Sequence, residues 1–241
     1  MAGNCGFGAL VRFGGGDLRS LVVVVVIGIF AFVTLSGPLA PLRAAIFPQE
    51  EAVATQGIAH WLSDRTGLPP LTFASAAGLV ALVWALIHAP LRQSPAMIAW
   101  GAAAGLAVVW CFVGTTWIWH ESFGEVGVEG PSFTAPLGRT IIFFMTSTAG
   151  GISFSVGMVA GVLGSAFAGS TIRGLFRWEA CEDPRELGRQ VSGAALMGIG
   201  GTLALGCSIG QGVTAMATLA VSAPVTLAAI GVGGVVGLRH L

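Results

Sequence analysis

"MAGNCGFGALVRFGGG", residues 1–16, sets a cysteine among glycines directly before a charged turn and the apolar run "SLVVVVVIGIFAFVTLS" at 20–36. A second stretch, "ALGCSIGQGV" at 204–213, repeats the arrangement near the other end of the chain. Aligning Cys5 with Cys207 also aligns Ala2 with Ala204, Gly8 with Gly210 and Val11 with Val213. What such a pair of motifs can do depends on the kind of protein that lies between them.

Composition answers that first. The 241 residues are 54% hydrophobic and 9% charged, with a mean hydropathy of +0.85, whereas soluble domains carry roughly 25% charged residues. The chain reads as an integral membrane protein. Its formal net charge is zero and all 11 basic residues are arginines. There is no basic field for nucleic acid, and no lysine for a Schiff base or a phosphate loop. The four cysteines, at 5, 111, 181 and 207, form no C-x-x-C pair and no metal-finger spacing, so no metal site, redox dithiol or cofactor is expected.

A membrane helix needs about 20 apolar residues. The clearest spans are 20–36, 72–90 and 96–119. The five consecutive valines of the first would suit a buried strand, but length and unbroken apolarity favour a helix that satisfies its own backbone. The region 137–169 is broken by "STAGGIS" into one short and one longer helix, and 191–238 is broken around "GCSIGQG". Arg12 and Arg19, Arg92, and the arginines of 171–190 alternate with the acidic 120–138 loop, placing the arginine-rich regions in the cytoplasm. The 37–71 connection is then an outside loop in which "APLRAAIF" forms a short interfacial or re-entrant helix. Trp117, Trp119 and Trp178 fit aromatic belts at the two interfaces.

The glycines of "GAAAG" (101–105), "GMVAG" (157–161) and "GGVVG" (233–237) fit the small-xxx-small pattern of close helix packing. Those around Cys5 and Cys207 are denser and interrupt apolar runs. Paired, glycine-interrupted segments point to a transport site made from broken helices at the membrane midplane. Arginine is expensive there, so an anion would be held by helix N-termini and exposed backbone. Neutral thiols suit a soft, sulfur-bearing ligand better than a hard oxyanion. Cys111, inside "AVVWCFVG", reads as an inert small hydrophobe, and Cys181 as a loop thiol. "GCSIG" at 206–210 matches the nucleophile-elbow pattern G-x-S-x-G, but that motif requires a preceding strand, and an apolar helical run stands there instead.

"NCGFGALVRFGGGDLRSL" near the start, with "RQVSGAALMGIGGTLALGCSIGQGVTAMATLAVSAP" near the end, resembles the YeeE/YedE-type sulfur transport family of bacterial inner-membrane proteins associated with thiosulfate uptake. The resemblance implies an all-α fold of two pseudo-symmetric halves with short re-entrant helices, forming one transport domain over 1–241. It implies a central path where Cys5 and Cys207 meet a small sulfur anion, with Gly6, Gly8, Gly206, Ser208, Gly210 and Gln211 as surrounding donors. Family members carry further segments and another pathway cysteine before the first motif, so the first half is expected to be incomplete at its N-terminus. The arginine- and acid-rich "RGLFRWEACEDPRELGRQ" at 173–190 reads as a solvated amphipathic helix and a docking site for a cytosolic sulfur-carrier protein. The expected function is import of thiosulfate or a related anion without catalytic turnover. The alternatives are a membrane-bound thiol oxidoreductase or sulfurtransferase, and a transporter of selenium compounds.

Overall fold

A computed structural model describes residues 5–46, 57–146, 151–180 and 184–239. In chain order the helices are α1 (Gly6–Gly14), α2 (Leu18–Leu35), α3 (Ala40–Ile46), α4 (Ile58–Thr66), α5 (Pro70–Ile87), α6 (Ala89–Arg92), α7 (Pro95–Glu121), α8 (Ala135–Met145), α9 (Phe154–Ile172), α10 (Pro184–Leu203) and α11 (Ser222–Arg239), with a π-helical segment Gly210–Ala215 before the last. Five of these, α2, α5, α7, α9 and α11, are long and apolar enough to cross a membrane. No strand occurs among the described residues, where extended pairing is confined to two isolated bridges. The protein is an all-α, multi-pass membrane protein. The valine run does form a helix: in lipid a backbone with no water to bond must close its hydrogen bonds within the segment, and this outweighs the modest helix preference of β-branched residues.

Chain contacts divide the described residues into two compact units, one drawn from Met1–Glu50, Pro131–Val213 and Thr226–Leu241, the other from Glu51–Gly130 and Thr214–Val225. In the first, α2 is the central element, packed against α1, α8 and α10. Its buried positions, Ser20, Val23, Val24, Ile27, Gly28, Ala31 and Thr34, recur every three or four residues and so form one stripe along the helix. Glycines let the neighbours approach that stripe. A Cβ at Gly198 of α10 would lie 2.7 Å from the Ile27 carbonyl oxygen, and one at Gly138 of α8 would lie 2.8 Å from the Gly28 oxygen. Gly14 of α1 meets α9 as closely, its added Cβ falling 2.6 Å from that of Ala166. The packing glycines expected from the sequence are elsewhere: at Gly101, Gly105, Gly157, Gly161, Gly233 and Gly237 an added Cβ would meet nothing within 4 Å. Spacing identifies a smooth helix face but not what lies opposite it.

The turn from α1 to α2 is tied to the segment before α10. Asp17 caps α2, accepting from the Arg19 N–H at 3.0 Å and the Ser20 hydroxyl at 2.8 Å. The Leu18 N–H donates to the Glu179 carbonyl at 3.0 Å, and the Glu179 N–H to the Gly16 carbonyl at 3.1 Å. Gly16, at φ +105°, has a conformation open to glycine, and a Cβ there would overlap the Arg177 carbonyl. Arg19 also lies 3.7 Å from Glu179 and 3.9 Å from Glu186. Arg19 and Arg177 are thereby brought to the same turn at one end of this unit. The 173–180 stretch is not helical beyond a turn, and α10 includes Pro184 onward, so among the described residues the expected amphipathic helix is found in the second part of that loop. Cys181 lies outside the described residues.

In the second unit the 18-residue windows of α5 and α7 show no burial. Thr115 is the exception on α7, its hydroxyl reaching the Cys111 carbonyl at 2.7 Å and the Glu129 carbonyl at 3.3 Å. The Ile58 N–H donates to the Leu219 carbonyl at 2.9 Å, fastening α4 to the 214–225 segment. Cys111 is partly exposed on α7.

In a bilayer, helix association rests on close packing and hydrogen bonds rather than on apolar transfer from water. Gly198→Ala is therefore expected to lower stability by about 1–3 kcal/mol through overpacking. Gly161→Ala should be neutral or stabilising by about 0.5–1 kcal/mol through helix propensity. Thermal unfolding of the two variants in detergent checks the contrast.

Candidate functional site

The two cysteine motifs fold alike. Cys5 is the N-cap of α1: its Sγ accepts the Gly8 N–H at 3.5 Å, and its carbonyl accepts the Ala9 N–H at 2.9 Å. Cys207 opens a helical stretch over 208–217 in the same manner. Its Sγ accepts the Gly210 N–H at 3.5 Å, and its carbonyl accepts the Gln211 N–H at 2.8 Å. The aligned glycines are thus the partners of the aligned sulfurs. Each sulfur takes the place of the oxygen that a serine or aspartate would supply at a helix N-terminus, which leaves the S–H as the thiol's remaining donor.

The approach to Cys207 is an elbow. Helix α10 ends with the Gly206 N–H bonded back to the Gly201 carbonyl at 2.8 Å, and Leu205 adopts φ +57°. This is a helix-terminating turn of the kind that favours glycine at the left-handed position. Gln211, buried in the π-helical segment, donates from Nε2 to the Ala204 carbonyl at 2.7 Å, while its Oε1 has no partner among the described residues. The side chain therefore braces the elbow across the end of α10.

Cys5 and Cys207 line one cavity of about 620 Å³ within the first unit. Gly6, Gly206 and Ser208 line it with them, and Thr134 and Gly201 complete its polar end. Ile27, Leu196, Met197 and Ile230 form apolar walls. Gly8, Gly210 and Gln211 do not line it: the two glycines are engaged with the cysteine sulfurs and Gln211 with the elbow. No Asp, Glu, Lys, Arg or His is among the described lining residues. Arg139 follows the lining residue Thr134 by one turn and a half of chain. It lies within α8, a helix that reads as apolar, and its Nη1 donates to Ser155 at 3.2 Å rather than entering the cavity.

Sequence reasoning missed a third helix end. Thr134 is the N-cap of α8 and lines the same cavity. The signal was present in "SFTAPL": a threonine followed two residues later by proline, whose missing N–H is tolerated only in the first turn of a helix. Three helix N-termini thus open onto one space. Each leaves backbone N–H groups unsatisfied by its own helix and carries about half a positive charge. Such an arrangement can hold an anion without a formal cation, and the cavity volume leaves room for water beside a small ion.

The caps make a prediction about structure alone. Cys5→Ala and Cys207→Ala should each lose about 0.5–2 kcal/mol of stability, while the corresponding serine variants, with better capping oxygens, should keep or exceed that of the parent. Unfolding midpoints in detergent measure both.

No curated protein matches this chain. The sequence model for sulphur transport matches residues 1–236, nearly the full length and including both cysteine motifs. The chain belongs to the sulphur transport (YeeE/YedE) family, and its role is that of a sulfur transporter in a membrane.

Proposed function

We propose that this protein imports thiosulfate, or a closely related small sulfur anion, across the bacterial inner membrane and does not transform it chemically. The observation that carries the reading is the pairing of two cysteine-capped helix N-termini on one cavity whose described lining holds no charged side chain. An anion entering it loses part of its hydration and accepts N–H bonds from the helix ends. Its terminal sulfur passes between two neutral S–H groups. Each contact is weak, and weak binding at more than one place lets the ion leave as well as enter. A deep cationic site would trap a dianion, since a charge pair in a medium of low dielectric interacts strongly.

The test is uptake of sulfur-labelled thiosulfate into bacterial cells that lack their own thiosulfate importers. The natural protein should restore uptake. Cys207→Ser and Cys5→Ser should reduce it at least tenfold at equal membrane abundance, even though serine preserves the helix cap. Serine variants that transport as well as the parent would remove the thiols from the path. A persulfide or disulfide on Cys5 or Cys207 accumulating during turnover would move a thiol enzyme to the front. Uptake of labelled selenium compounds in place of thiosulfate would reassign the substrate.

We further propose that the exposed segment around Arg177, Trp178 and Glu179 receives a cytosolic sulfur-carrier protein. Replacing 173–190 by a neutral linker would also break the Gly16–Glu179 tie, so Trp178→Ala is the cleaner variant. It should weaken carrier capture from solution by the purified transporter while leaving thiosulfate uptake intact.

A further inference from the structure

We propose that Thr134 is a third substrate contact, recognising the oxygen-bearing end of the anion while the thiols meet its sulfur end. The proposal rests on the thiosulfate reading above. Five threonines are buried among the described residues. Four of them, Thr34, Thr115, Thr140 and Thr202, donate their hydroxyl to the carbonyl four residues earlier in their own helix, at 2.8, 2.7, 2.7 and 2.9 Å. That is the usual way for a threonine in a membrane helix to hide its hydroxyl. Thr134 is only 4% exposed and lines the cavity, yet it makes no capping bond to α8, and no hydrogen bond from its hydroxyl to another described residue is present. A buried hydroxyl is costly unless it finds a partner, and the one direction left open is the cavity.

Neighbouring residues hold it there. The segment 132–134 lies between the two cysteine helices. Ser132 sits against Gly210, with Oγ 3.0 Å from where a Cβ would be, and the Phe133 carbonyl approaches Gly6 at 3.2 Å by the same measure. The Phe133 ring packs on Phe7 with centroids 5.0 Å apart. Gly201 supplies the remaining space: a Cβ there would fall 2.7 Å from the Thr134 Oγ1 and displace it. Thr134 therefore stands at the N-terminus of α8 and lines the same cavity as Cys5 and Cys207.

The chemistry divides accordingly. Thiosulfate has one soft terminal sulfur and three harder oxygens. An O–H is a stronger donor than an S–H and forms short bonds to anionic oxygen. Two thiols and one hydroxyl match an ion with two unlike ends and would discriminate against a ligand having only one of them.

The experiment uses the natural full-length protein in proteoliposomes, with labelled thiosulfate as the probe and KM and maximal rate measured separately. Thr134→Val, which keeps the shape and removes the hydroxyl, should raise KM about tenfold, the loss expected for a hydrogen bond to a charged group. Thr134→Ser should restore it to within about twofold of the parent. Gly201→Ala, which leaves the hydroxyl in the chain but pushes it aside, should raise KM as Thr134→Val does and stands in for it if the valine variant does not fold. An unchanged KM in correctly folded Thr134→Val overturns the proposal, and so does a serine variant as impaired as the valine one. Either result leaves thiosulfate transport in place. Absence of thiosulfate uptake by the parent protein removes the functional reading itself, and this inference with it.

Discussion

On the proposed reading the chain holds an anion inside a bilayer without placing a formal cation beside it, and the peptide backbone is then its main source of positive potential. Unpaired N–H groups occur in quantity at helix N-termini and almost nowhere else in a membrane helix. The helices must therefore begin within the membrane rather than at its surface. In this protein α1 and α8 are too short to span it, and the stretch after Cys207 begins at an elbow where α10 has just stopped. The short helices, the glycine-rich turns and the left-handed Leu205 all serve that placement.

Bringing helix ends together requires their bodies to approach closely, and this is what the α2 stripe accomplishes. Gly28 and Gly138 set the distance between α2 and α8, while Gly198 sets that between α2 and α10. Leu10 of α1, Ile27 of α2 and Leu137 of α8 belong to one core cluster and are almost without exposure. Movement of α8 or α10 relative to α2 would carry Thr134 or Cys207 with it, so packing at a distance from the cavity controls the geometry at its polar end. The hydrogen-bonded tie from Gly16 to Glu179 does the same for α1 at its far terminus.

The fold was legible where the physics is local. Apolar runs gave the spans, and the breaks at "STAGGIS" and "GCSIGQG" fell where helices end in the structure. The pairing of Cys5 with Cys207 was legible because the repeat preserves the glycine whose N–H bonds each sulfur. Partners across space were not. The small-residue faces at 101–105, 157–161 and 233–237 have the spacing of packing motifs, but nothing stands within 4 Å of their glycines. The glycines that do pack, such as Gly28 and Gly198, are unremarked within apolar helices, since a single glycine carries no record of its neighbour. Thr134 belongs to no repeat; its place at a helix start was readable in "SFTAPL", but its meeting with Gly201, 67 positions away in sequence, was not.

The identity of the capping residue bears on what the site is for. Serine, threonine, aspartate and asparagine cap helices better than cysteine, because an oxygen is a stronger acceptor of an N–H than a thiol sulfur. At Cys5 and at Cys207 the sulfur occupies that position, with N–H contacts of 3.5 Å in both places. A sequence shaped by stability alone would carry an oxygen there, as it does at Asp17, where the cap of α2 is a carboxylate with a 3.0 Å bond. The cap at Asp17 lies among arginines at the end of the unit, whereas the two sulfur caps line the cavity. Both sulfur caps therefore stand on the cavity through which, on the proposed reading, the ion passes. A capping carboxylate at those two positions would repel the ion, and a hydroxyl would bind its oxygens without any preference for its sulfur. A neutral thiol caps adequately and retains a soft donor. On the proposed reading, the small loss of helix stability at each cap is the cost of sulfur selectivity along the path.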